Sequence, residues 1–136
     1  MRFLLDTHIF LWFINGDEKL NPGPRQFIED QGNERYLSLA SLWELAIKKG
    51  LGKLTLDLSF VELFTEHIEG NAIELLHISP KHLDILKNLP FHHKDPFDRL
   101  IIAQALSEKL SIITKDKTLK KYGIQCIWNQ EITDIL

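Results

Sequence analysis

Short apolar runs alternate with stretches of helical period along this chain, and that alternation limits what it can fold into more than any other feature. Phe3 to Leu5, Tyr36 to Ser38, Ile73 to Leu76, Ser111 to Ile113 and Gln125 to Trp128 read as strands. Between them the spacing becomes helical. Leu39, Leu42, Trp43, Ala46 and Ile47 share one helix face, and the pattern stops at Lys48, Lys49 and Gly50, a cationic last turn followed by a glycine. Ser59 to Glu69 and Pro80 to Asn88 are further expected helices. From Phe97 to Lys109 the apolar residues spread around most of the circumference, so this helix is expected to be largely buried. Strands alternating with helices predict βαβ units, and hence an α/β fold with a mostly parallel sheet covered on both faces. Asn21 to Pro24 and Leu89 to Pro96 are the strong breaks.

The chain has 136 residues and shows no repeat or linker, which predicts a single domain over 1–136. Its 44% hydrophobic and 26% charged residues exclude a disordered or fibrous class. One cysteine, Cys126, excludes a disulfide framework and a cysteine-rich zinc site, and points to a reducing, cytoplasmic setting. The apolar stretch from Phe3 to Ile14 is interrupted by Asp6 and His8 and lacks a small-residue cleavage site, so it reads as a core strand entering a helix. No segment approaches the roughly 18 apolar residues of a membrane span. A net charge of −3 gives no general affinity for nucleic acid, so any such contact must be local. Two clusters offer one: Lys48, Lys49 and Lys53 at a helix end, and Lys115, Lys117, Lys120 and Lys121 in a late loop. Each also reads as ordinary solvated surface.

In parallel α/β folds ligands bind beyond the carboxyl ends of the strands, and four acids belong there. Asp6 ends the first strand, Glu44 lies early in the helix after the second, Asp98 is in the first turn of the buried helix, and Asp116 follows Ile112 and Ile113. Taken singly, each has a structural explanation. Ser41 and Glu44 fit an S-x-x-E capping box, Asp98 complements a helix dipole, and Asp6 and Asp116 suit turns. Pro96 at the first helical position makes Asp95 the N-cap and puts Asp98 three residues inside. Together, four converging carboxylates would repel one another unless a cation were bound. All-oxygen sites suit Mg²⁺ or Mn²⁺, which leave room for phosphate oxygens and activate water for phosphodiester hydrolysis. Histidine offers a zinc alternative through His8, His92 and His93, but adjacent histidines rarely ligate one ion and the i, i+4 pairing of zinc hydrolases is missing. His67, His77 and His82 read as surface or core-edge residues, and Cys126 as a small buried hydrophobe.

Four blocks in order, LLDTH, SLWELAIKKG with KL after it, HHKDPFDRLIIAQAL and IITKDKTLKKYG, resemble the PIN-domain toxins of the VapC type, over Arg2 to about Trp128. The resemblance implies a three-layer α/β/α sandwich with a central parallel sheet, and a Mg²⁺- or Mn²⁺-dependent endoribonuclease that acts on RNA. It further implies homodimers and a cognate antitoxin whose tail enters the acidic groove. Asp6, Glu44, Asp98 and Asp116 match the family's acids in turn, as catalytic and metal-holding residues. Thr114 matches a hydroxyl position near the metal, and Asp95 lies beside the third acid. Two other classes compete with this reading. A haloacid-dehalogenase type of phosphotransferase needs a second Asp where His8 stands, and a receiver needs an early acidic pair that is missing. A catalytically silent module of the same fold, binding RNA or a partner, would be marked by loss of an acid, and all four are present.

Overall fold

The structure, a computed structural model, describes residues 1–129. In chain order it comprises β1 (Arg2–Leu5), α1 (Thr7–Asn15), α2 (Pro22–Glu29), β2 (Glu34–Ser38), α3 (Leu39–Gly50) and α4 (Phe60–Leu63). There follow β3 (Glu74–Leu76), α5 (Pro80–Leu86), α6 (Pro96–Glu108), β4 (Ser111–Ile113), a 3₁₀ turn (Lys117–Tyr122) and β5 (Cys126–Ile127). The expected strands all form, the last one shortened to two residues. α4 runs on through a π-helical turn (Phe64–Ile68) and a 3₁₀ turn (Glu69–Asn71), so the expected helix over Ser59 to Glu69 is a single path with uneven winding.

The five strands are all parallel, in the order β3-β2-β1-β4-β5. Phe3, Leu4 and Leu5 have no exposed surface, which in a parallel sheet requires cover on both faces. Alternation along the strands supplies it. Phe3, Leu5, Ile113 and Ile127 join Ile9, Phe10, Phe27, Ile28, Leu63 and Ile68 on one face. Leu4, Ile112 and Cys126 join Leu100, Ile101, Ile102 and Ala105 of α6, with Ile85 and Leu86 of α5, on the other. The result is the expected three-layer α/β/α sandwich. No helix among the described residues is long and apolar enough to cross a membrane.

Four local readings need correction. Asn21 to Pro24 is a helix start rather than a break, because a proline in the first turn of α2 loses no helical hydrogen bond, and Phe27 and Ile28 bury the face that follows. The capping box of Ser41 and Glu44 does not form. Ser38 caps α3 instead by accepting from the Ala40 N–H, which leaves Ser41 inside the helix. Lys117, Lys120 and Lys121 sit on the 3₁₀ turn, which Gly123 ends with a positive φ of 80°, rather than in a plain loop. His82 is buried at 1% exposure, with Nε2 3.0 Å from a Glu108 oxygen and Nδ1 accepting from the Ser79 N–H, so it ties α5 to α6.

Candidate active site at the switch point

Strand order reverses about β1, since the chain leaves β3 at one edge and re-enters the sheet as β4 on the far side of β1. Adjacent connections diverge at such a point and open a crevice beyond the strand ends. Asp6 follows β1 and Thr114 follows β4, so both stand at that crevice. Asp6 occupies the N-cap position of α1, yet its side chain makes no cap hydrogen bond. It accepts instead from the Thr114 hydroxyl at 2.7 Å. Thr114, 2% exposed, also accepts from the Asp116 N–H at 3.0 Å, so one hydroxyl sets the placement of two acids.

Asp116 caps the 3₁₀ turn through the Thr118 N–H at 2.9 Å, and its other oxygen lies 2.6 Å from Nε2 of His93. Burial pushes its carboxyl up, but hydrogen bonds from His93 and from the Thr118 backbone outweigh that and hold it below the usual carboxylate value. Asp98 stands differently. Asp95 is the N-cap of α6 and accepts from the N–H groups of Phe97 and Asp98, each at 2.9 Å. The Asp98 carboxylate makes no hydrogen bond or ion pair among the described residues. Burial raises it first, then the negative charges of Asp95, Asp6 and Glu44, to about 6. Glu44, 7% exposed, is held by Lys48 at 2.9 Å one helical turn on. Asp6, Asp98 and Asp116, with His93, line one niche of about 20 Å³ floored by Ile101, Ile102 and Ile112. Glu44 is not part of its wall and reaches it as charge alone.

Sequence reasoning missed the side chains that hold this arrangement. His93 entered only as a rival zinc ligand, yet it bridges Asp116 and Tyr122, whose hydroxyl accepts from the His93 N–H at 2.9 Å and meets Nδ1 at 3.2 Å. Arg99, 7% exposed, donates to the carbonyls of Leu89, Pro90 and His93 at 2.9 to 3.1 Å, and so fixes the loop that carries His93. The Thr7 hydroxyl donates to Ser41 at 2.8 Å, joining the starts of α1 and α3. Gln104, fully buried, bonds Ser38 and thereby locks α6 to the end of β2. An arginine and a glutamine on an otherwise apolar buried helix were the visible signal for two of these, since such groups enter a core only with partners.

Oxygen donors under an excess of negative charge are the donor chemistry of Mg²⁺ or Mn²⁺. The niche has room for a body about the size of a water molecule. Among the described residues no three acid, imidazole or thiol groups stand close enough to enclose an ion by themselves. The site thus suits an ion that keeps part of its water shell, and it does not suit the closed nitrogen and sulfur shell of structural zinc.

The sequence profile of the PIN domain matches residues 3–125. Ribonuclease VapC22 of Mycobacterium tuberculosis is 28% identical over 123 residues, which cover 88% of this chain and 90% of that protein. Among solved structures, VapBC2 from Rickettsia felis, bound to a DNA fragment from their promoter, superposes with a TM-score of 0.68 at 19% identity, over 93% of this chain and 98% of the other. FitAcB from Neisseria gonorrhoeae does so at 0.56 and 18%, over 94% and 97%. At such identities the structures speak for the fold.

Proposed function

Since the chain belongs to the PIN-domain family, we propose that it is a divalent-metal-dependent endoribonuclease hydrolysing RNA phosphodiester bonds, the toxin of a VapBC-type toxin–antitoxin pair. The observation that carries this reading is Asp98, a carboxylate with no ion-pair partner among the described residues, in a niche shared with Asp6 and Asp116 and raised to about 6 by burial and the negative charges around it. Uncompensated charge of this kind is what a cation site and its phosphate substrate need before they are filled.

Asp6, Asp98 and Asp116 would hold the ion, with Glu44 adding charge from the flank. When bound, Mg²⁺ or Mn²⁺ supplies Lewis acidity, which lowers the pKa of water and offsets charge developing on the phosphate. The chain itself supplies position. Thr114 turns one Asp6 oxygen, while His93, fixed by Tyr122 and by the Arg99-bound loop, turns one Asp116 oxygen. Asp95 satisfies the helix N–H groups, so Asp98 does not have to. As water attacks an RNA phosphorus it would pass a proton toward these carboxylates, while the P–O bond to the leaving ribose oxygen breaks and that oxygen takes up a proton.

The same niche explains how an antitoxin would act. A lysine ammonium, or one N–H of an arginine, from a partner would meet Asp98, the niche carboxylate without a hydrogen bond or ion pair among the described residues, by charge-assisted hydrogen bonding. Trp43 and Ile47 of α3 and its C-cap Leu51 are exposed at four-residue spacing, with Trp43 against Phe97 next to Asp98, an apolar strip of the kind that packs against a partner helix, from an antitoxin or from a second copy in a homodimer. The test of the function is cleavage of RNA by purified, antitoxin-free protein. Activity with Mg²⁺ or Mn²⁺ that disappears in EDTA is expected, and full activity in chelator would refute the metal-dependent mechanism. RNA binding with no cleavage under any divalent ion would favour the silent module.

A further inference from the structure

We infer that Trp12, with His8 and Lys115, forms a stacking subsite for one unpaired nucleobase of single-stranded RNA beside the acidic niche; this rests on the RNA-directed reading above. His8 and Trp12 are one turn apart on α1, with ring centroids 6.5 Å apart. An open hollow of about 410 Å³ is lined by His8, Ile9, Trp12 and Lys115 together with Asp6 and Asp116, so it shares a wall with the niche. That size falls in the range of roughly 300–1,000 Å³ typical of small-ligand pockets, whereas the niche itself is far too small for a base.

The charges around this aromatic site fit a nucleotide. The Lys115 ammonium lies 5.8 Å from the rings of both Trp12 and Trp128, and that of Lys19 lies 6.0 Å from Trp12. Neither lysine pairs with a carboxylate among the described residues. On a protein of net charge −3, two such cations over an indole at the rim of an acidic site are a local exception. Trp12 is half-buried, with part of its ring packed on the core, and a cation over a ring at such a surface site gains about 2- to 5-fold in equilibrium terms. A stacked base gains about 5- to 150-fold. The base therefore displaces the lysine from the ring, and the freed ammonium is left beside the nucleotide's phosphate. An apolar peptide side chain would use the indole but not the ammonium groups. A paired base hides both faces in its stack, so the subsite selects an unpaired one.

The test uses the full chain carrying Asp98→Asn, in EDTA, so that binding is read without cleavage. Labelled short single-stranded RNAs, four homo-oligomers and one of mixed sequence, are titrated by fluorescence anisotropy beside a duplex of the mixed sequence. Adding Trp12→Leu should weaken single-strand binding at least 5-fold, while Trp12→Phe, which keeps a ring, stays within about 3-fold. Duplex binding should not change. Lys115→Gln, which needs no repacking, should lower the slope of log affinity against log salt by about 1. Should Trp12→Leu fail to fold, quenching of tryptophan fluorescence by RNA in Trp128→Phe takes its place, since it leaves Trp12 among the reporters. Single-strand binding that ignores Trp12→Leu, equal losses on duplex and single strand, absent quenching, or no single-strand binding at all would each overturn the subsite. The nuclease reading is scored separately in the otherwise unaltered chain with Mn²⁺. Trp12-dependent binding without cleavage would leave the subsite standing and remove the nuclease, and cleavage whose KM ignores Trp12→Leu would do the reverse.

Discussion

A half-buried carboxylate facing three others costs the fold energy in every state that lacks a counter-charge, and Asp98 is that residue. Its carboxyl is raised from the usual aspartate value of 3.8 to about 6, so the folded protein resists ionising it more than the unfolded chain does. Below about pH 4 both states hold the proton and there is no penalty. As pH rises through the window from about 4 to 6 the penalty appears, and above 6 it is complete. Allowing for solvent screening and for the favourable place of a negative charge at a helix start, it amounts to about 1 kcal/mol. Asp98→Asn should therefore raise the melting temperature in EDTA near neutral pH by about 3 °C, and the gain should vanish near pH 4. Calorimetry at the two pH values measures this, and an unchanged or lower melting temperature near neutrality would contradict it. At this scale the positions of Asp6, Asp98 and Asp116 were legible in the sequence, because each sits at a strand end or helix start that local patterning already marks, whereas Glu44 lies in the middle of α3. Their partners were not. Thr114 meets Asp6 across 108 positions and His93 meets Asp116 across 23, and no local spacing encodes such contacts.

Among the elements, α6 carries most of the site, and its polar residues do work that its apolar pattern hides. Arg99 spends one guanidinium on three carbonyls of the preceding loop and stacks 3.8 Å from the ring of Phe91. A lysine has the charge but not the planar fork. Arg99→Lys should lower stability by about 2 kcal/mol in urea unfolding and speed amide exchange over Leu89 to Lys94, because hydrogen bonds from a charged donor to buried carbonyls are lost. A change below about 0.5 kcal/mol with unaltered exchange would mean the loop holds itself. The helix's existence, burial and cap were readable, since Pro96 and Asp95 announce its start and six apolar residues wrap its circumference. α2 was missed for the opposite reason: Pro22 and Pro24 look like a breaker until the first turn is recognised as the place where proline is harmless. The Ser41 and Glu44 pattern misled because Ser38, three residues earlier, was free to cap.

On the scale of the whole molecule, strand order is what makes scattered acids into a site. Alternating strands and helices implied a parallel sheet with ligands at its carboxyl edge, but five strands admit many orders, and nothing in the sequence places β4 against β1 rather than beside β3. That placement leaves the crevice between Asp6 and Thr114, and it brings together Asp6, Asp98 and Asp116 from three separate stretches of chain. In this account Asp98 serves the ion and its neighbour Asp95 serves the helix. Asparagine can accept the N–H bonds of a cap about as well as aspartate, but as a neutral amide it cannot supply the charge that holds a divalent ion. The most direct measurement is the initial rate of RNA cleavage at saturating Mn²⁺ for the unaltered protein, Asp95→Asn and Asp98→Asn, each shown to be folded by its melting curve. Asp95→Asn should keep its rate within a few-fold and Asp98→Asn should lose at least about 100-fold; an Asp98→Asn enzyme that cleaves at the unaltered rate would contradict the account.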